Sequence, residues 1–215
     1  MITAPALAAA AEALRGGRAV VLPSPAPLTS AVAAVSAATV NEAKGRPAHQ
    51  PVATWTPTDA LWARLAPSIA LDAAAVDRAR VLLVSELVTL LVPVRHVPPW
   101  MAPAVCDGYA MLFGGCWEPL LPMFDGIDTL HVSSANRTGE APAASAAEAR
   151  RMFPDAVHVL DGDDGHPAQG RAATTTLRLA ADGTLAHTRR GVQDRAYGGP
   201  EQYLTHLRAT YGFHS

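Results

Sequence analysis

Strand-like runs of four or five residues recur along the 215-residue chain, and helix-start and helix-stop signals separate them. Ala19-Val20-Val21-Leu22, Val88 to Val92, Thr129 to Val132 and Ala156 to Leu160 are short, rich in apolar and β-branched residues and set off from helical segments, as buried strands are. Between them Thr3 with Pro5 opens a helix that Gly16-Gly17 ends, Thr56-Pro57-Thr58-Asp59 and Asp72 open two more, and Ser145 with Glu148 forms a capping box. Alternation of this kind predicts an α/β domain whose sheet is largely covered by helices. A hairpin around Asp182-Gly183, joining Thr174–Leu179 to Thr184–Thr188, and a polar helix over about 200–211 complete the pattern. The stretch from Thr29 or Ser30 to Ala43 reads as one helix, Val81 to Val84 as a further strand, and Pro93 to Pro103 as an irregular excursion. From there to Thr129 no element stands out.

With 49% apolar residues, no repeat and no linker, residues 1–215 are expected to close one core as a single domain. A net charge of -2 supplies no global basic field, so RNA binding would need a local patch. Cys106 and Cys116 lie ten apart without CxxC spacing, which implies neither a zinc knuckle nor a disulfide framework and fits a reducing, cytoplasmic setting. The Ala-rich opening lacks a basic leader and carries Glu12 and Arg15, so it reads as a helix. Val81 to Val94 is too short and too interrupted to span a bilayer, and no membrane segment is expected. Asp161 to Gly165 echoes a calcium loop, but Ala172 stands at the twelfth position and a surface turn is expected instead. His131 reads as a strand histidine satisfied by backbone.

Sixteen arginines accompany a single lysine, so the place of that lysine is informative. It stands in Lys44-Gly45-Arg46-Pro47, at the end of a helical stretch. Cations there suit the helix dipole alone, while a compact ammonium beside a planar guanidinium also suits a polyanion such as a triphosphate. Ser134-Ala135-Asn136 follows a strand end, where open α/β sheets gather ligands, although taken alone it reads better as a polar turn capped by Asn.

Together these motifs, with Gly-Arg-Ala-Val-Val-Leu-Pro-Ser upstream (17–24), Val88-Thr89-Leu90-Leu91 between them, and Gly170, Thr174-Thr175 and Arg189-Arg190-Gly191 after them, resemble the YrdC-like family of threonylcarbamoyl-adenylate synthases over about residues 10–192. The resemblance implies a twisted mixed sheet flanked by helices, and formation of L-threonylcarbamoyl-adenylate from ATP, bicarbonate and threonine for tRNA modification. It makes Lys44 and Arg46 the expected catalytic cations. It also makes Lys44, Arg46, Ser134, Asn136, Thr174, Thr175 and Arg189 the expected ATP contacts, with Mg²⁺ arriving on the triphosphate and no dedicated metal ligands.

The chain departs from the family pattern in three places: the Trp-Pro-Gly-Pro stretch before Thr89 is replaced by Ser85-Glu86-Leu87-Val88, the Arg-x-Pro strand has no counterpart in Ala110 to Pro119, and one loop is changed. Pro23-Ser24-Pro25-Ala26-Pro27-Leu28-Thr29-Ser30 lacks the family's second Thr, Tyr and Gly, which puts Ser24, Ala26 and Leu28 at the positions expected to read the substrate. The expected activity is therefore a carbamoyl-adenylate-forming nucleotidyltransferase with an altered amine or amino-acid acceptor, serving biosynthesis. The alternatives are the ordinary threonine enzyme and a non-catalytic nucleotide- or RNA-binding module. Oligomeric state is not legible in the sequence.

Overall fold

The computed structural model describes residues 2–153, 157–162 and 165–213. Thr3 caps helix α1 (Ala4–Arg15), and Gly17, in the left-handed region, follows its end. The chain runs through β1 (Val20–Leu22), β2 (Ala31–Ala34), α2 (Ala37–Ala43), β3 (Ala53–Trp55), α3 (Asp59–Leu65), α4 (Ala73–Val81) and β4 (Thr89–Pro93). It continues through β5 (Val105–Cys106), β6 (Tyr109–Phe113), a 3-10 segment at Glu118–Phe124, β7 (His131–Ser134), α5 (Ala146–Met152) and β8 (His158–Val159). The hairpin β9 (Thr176–Leu179) and β10 (Leu185–Arg189) leads to α6 (Val192–Arg195) and α7 (Pro200–Tyr211). Thr58, Asp72 and Ser145 cap their helices through their side chains as expected.

These strands form one mixed sheet in the order β10-β9-β4-β6-β3-β7-β2-β1-β8, with β5 added beside β6. Pairs β1/β8, β3/β6 and β4/β9 are parallel, and the other pairs are antiparallel. The strand period of two sorts the core. Val20, Leu22, Ala53, Trp55 and Val132 pack with α1 and the 3-10 segment, while Val21, Val32 and Ala34 pack with α2 and α5. Trp55 anchors the first layer through edge-to-face contacts with Phe113 and Phe124, at 5.6 and 4.9 Å between ring centroids. A further cluster joins β4, β6, β9 and β10 to α3, α4 and α7.

Three expectations are corrected. Residues 31–34 are a strand, since four small side chains buried on both faces fit between β1 and β7, and pairing there outweighs alanine's modest helix preference. Leu82 to Glu86 prolong α4 as a π-turn, leaving Val84 64% exposed and Leu82 and Leu83 buried, and the chain turns out at left-handed Leu87. The stretch without an expected element holds β6 near the middle of the sheet. Strand β7 begins two residues later than Thr129, and the strand expected from Ala156 is described as His158–Val159, with Ala156 outside the described residues. Asp163 and Asp164 of the turn at 161–165 also lie outside them.

Candidate functional site

The Lys-Gly-Arg motif is the C-terminal cap of α2. Gly45 takes the left-handed conformation that closes the helix (φ +65°), its amide bonding Glu42 O and the Arg46 amide bonding Asn41 O. A residue with a Cβ at position 45 would be strained, so glycine here serves the two cations on either side of it. Lys44 is the C-cap residue and is buried; its Nζ reaches across to β7 and donates to Ser134 O, Asn136 O (2.7 Å) and Asn136 Oδ1 (2.9 Å). All three ammonium protons are thereby used.

The Ser-Ala-Asn loop is built to receive it. Asn136 Oδ1 also accepts from Ser134 Oγ at 2.6 Å, and its Nδ2 donates to Arg137 O and Glu140 O. Ala135 donates to Ser30 O and accepts from the Ala143 amide, stitching the loop to the start of β2. Burial, and then the neighbouring Arg46 charge, pull Lys44 down to about 7.

Beside this corner opens a cleft of about 710 Å³, counting its open mouth. Arg46, Ser134, Thr174, Arg189 and Leu28 of the expected residues line it, together with Thr29, Ser30, Thr89 and Ser133. No carboxylate stands among its described lining residues, and burial lowers both Arg46 and Arg189 below the usual guanidinium range. Its apolar wall includes Ala53, Met111, Phe113 and Val132.

Lys44 and Asn136 sit behind Ser134 and do not line the cleft. Thr174 and Thr175 part company because neighbours on an extended chain face opposite ways. Thr174 meets Thr89 hydroxyl to hydroxyl at 2.6 Å and accepts at its carbonyl from Arg189, whereas Thr175 is turned to the buried Asp194. Asp194 also receives the Gly191 amide and His187 Nε2. Gly191 is required here by close approach, since a Cβ would lie 2.0 Å from the Thr175 nitrogen.

Ser24 and Ala26 lie off the cleft wall; Ala26 precedes a cis proline, and the Ser24 and Leu28 carbonyls both accept from Arg171 Nη1 at 3.1 Å. Arg171, Asn41, Phe113 and Met111 were not singled out by their sequence. For Asn41 a signal existed: it stands in the stripe Ala37, Val40, Asn41, Lys44 that α2 buries. His131 is buried and bonds the Trp100 backbone, but its Nδ1 has no partner among the described residues; burial lowers it to about 4.

No protein-family model matches the sequence, and no curated protein matches it. Solved structures do resemble it. P. abyssi Sua5 complexed with L-threonine superposes with a TM-score of 0.64 at 18% identity over 86% of this chain, and the chain spans 54% of that protein's length. E. coli YciO gives 0.63 at 14% identity, covering 86% of this chain and 89% of YciO. Full-length HypF in its phosphate- and nucleotide-bound form gives 0.63 at 15% identity, over 87% of this chain and 29% of HypF. Among the described residues no helix is long and apolar enough to cross a membrane. The chain has the fold that Sua5, YciO and a segment of HypF share, the one its resemblance to the YrdC-like family implies.

Proposed function

We propose that the cleft binds ATP and forms a carbamoyl-adenylate. The observation that carries this reading is a pair of guanidiniums, the half-buried Arg46 and the outer Arg189, lining one hydroxyl-rich cleft without a carboxylate among its described lining residues. An amine takes up bicarbonate as a carbamate with loss of water. A carbamate oxygen then attacks the α-phosphorus, the bond from that phosphorus to the bridging oxygen breaks, and pyrophosphate leaves. The two reacting anions repel each other, so catalysis is a matter of gathering and orienting them. Arg46 and Arg189 meet the phosphates and the carbamate, and Ser134 and Thr174 border their path. Lys44 adds its charge from behind and sets the Ser134–Asn136 loop. Thr175 acts at one remove, through the turn that carries Arg189. Magnesium comes in on the triphosphate.

The acceptor end is apolar. Leu28, Met111, Phe113 and Val132 offer nothing to a substrate hydroxyl, which favours an amine or amino acid with an apolar side chain over L-threonine. P. abyssi Sua5, a structural neighbour, was solved with L-threonine, and HypF, of which this chain matches 29%, with phosphate and nucleotide, ligands of the classes this reading calls for.

The test is pyrophosphate release from ATP, Mg²⁺ and bicarbonate with a panel of amines and amino acids. Expected is turnover with an apolar acceptor exceeding that with threonine, and a fall of roughly 10²- to 10³-fold in Arg46→Ala. Threonine turnover equal to the best substrate would return the protein to the ordinary tRNA-modification role. RNA retention with no pyrophosphate from any amine would make it a non-catalytic module.

A further inference from the structure

A fully buried carboxamide must place its donors and its acceptor, or forfeit their hydration. Asn41, 0% exposed near the end of α2, places them all around one arginine. Its Nδ2 gives one hydrogen to Ala48 O at 3.0 Å and the other to Gln50 O at 2.9 Å, and its Oδ1 accepts from Arg46 Nε. Its own carbonyl takes the Arg46 amide at 3.0 Å. One residue thus holds Arg46 by both backbone and side chain and fixes the turn that follows. Arg46 lines the cleft, and its Nη2 is buried without a partner among the described residues.

We propose that Asn41 is the positioning residue for Arg46, an inference that rests on the cleft being an anion site. Locking Nε fixes the guanidinium plane and removes the rotamer freedom an arginine otherwise loses on binding. The choice of an amide matters. A carboxylate would hold the guanidinium as firmly but would neutralise it, whereas a neutral acceptor leaves its full charge for a ligand.

A double-mutant cycle with ATP·Mg²⁺ as the calorimetric probe separates positioning from simple structural support. Arg46→Lys keeps a positive charge but has no Nε for Asn41 to hold. Asn41→Leu is expected to weaken binding about tenfold beside Arg46 and less than about twofold beside Lys at position 46. Equal weakening in both backgrounds overturns the proposal. Should the Leu variant fail to fold, ¹⁵N NMR of the wild type decides: the Arg46 Nε–H, identified by its loss in Arg46→Lys, is expected to exchange slowly at neutral pH, and rapid exchange overturns the assignment. Absence of ATP binding to the wild type would instead overturn the nucleotide reading of the cleft, and the exchange measurement would still judge Asn41.

Discussion

Two borders of the same cleft are held differently. The corner at Lys44, Ser134 and Asn136 is held largely by its own side chains: Lys44 Nζ reaches Ser134 O, Asn136 O and Asn136 Oδ1 across about 90 residues of chain, and Ser134 Oγ meets Asn136 Oδ1 two residues away. The Pro23–Ser30 flap is held through its backbone: Arg171 reaches the Ser24 and Leu28 carbonyls, Thr29 N bonds Ala172 O, and Ala172 N bonds Pro27 O. A change at Lys44 or Asn136 removes the corner's own links. The bonds named for the flap run to its carbonyls and amides, so the side chains of Ser24, Ala26 and Leu28 can vary without breaking them.

The comparison breaks most readily at Lys44. Lys44→Met takes the ammonium from three part-buried acceptors, leaves the Ser134 and Asn136 carbonyls without it while Asn136 Oδ1 keeps Ser134 Oγ, and is expected to cost about 2 kcal/mol, lowering Tm by roughly 4–8 °C. ATP affinity should fall more than about tenfold, as read by calorimetry. In the wild type the ammonium loses its proton as pH rises through about 7, so ATP affinity should weaken on the alkaline side. The Met variant should show a flatter profile. A variant with wild-type Tm and affinity would mean that the corner is as tolerant as the flap.

Acid tests the same contrast more gently. His131 stands on β7 three residues before Ser134, and burial holds it neutral down to about 4. The unfolded chain takes up this proton near its ordinary pKa of about 6.5, so the stability His131 supports is present above that value and is lost progressively as pH falls towards 4. Urea midpoints measured between pH 7 and 4.5 should fall in the wild type and flatten in His131→Gln. The smallest effect is expected at Arg171→Ala. Loosening the flap should raise KM for the amine about three- to fivefold, with KM for ATP unchanged and Tm lower by only about 2–3 °C. An equal rise in both KM values would join the flap to the nucleotide wall.

The same division explains what could be read from the residues alone. Thr3, Thr58, Asp72 and Ser145 act within a turn of their own position, and the Lys-Gly-Arg and Ser-Ala-Asn motifs carry their chemistry in their side chains. Strand β2 was hidden because Ala31, Ala33 and Ala34 favour a helix until β1 and β7 flank them. Strand β6 was hidden because its local partner, β5 across Asp107-Gly108, is only two residues long, while its longer-range partners β3 and β4 lie upstream beyond a proline-rich stretch. Asn41 was legible only as a polar residue in the stripe that α2 buries; the partners of its carboxamide come from the turn that follows. The inward and outward turns of Thr174 and Thr175 depend on which face of β9 meets the cleft, and no local signal sets that.

The cleft draws on residues from Leu28 to Arg189, and Thr89 meets Thr174 across 85 residues of chain. Contacts so distant repay their loop-closure entropy only after both partners exist. During synthesis the first strands have β1 and β2 to pair early, yet the second guanidinium and the threonine that receives it emerge far later. A nascent chain halted before residue 174 thus lacks the completed cleft however well its strands have paired, and any ligand of that cleft would act as a seal on the completed chain rather than a template for the growing one.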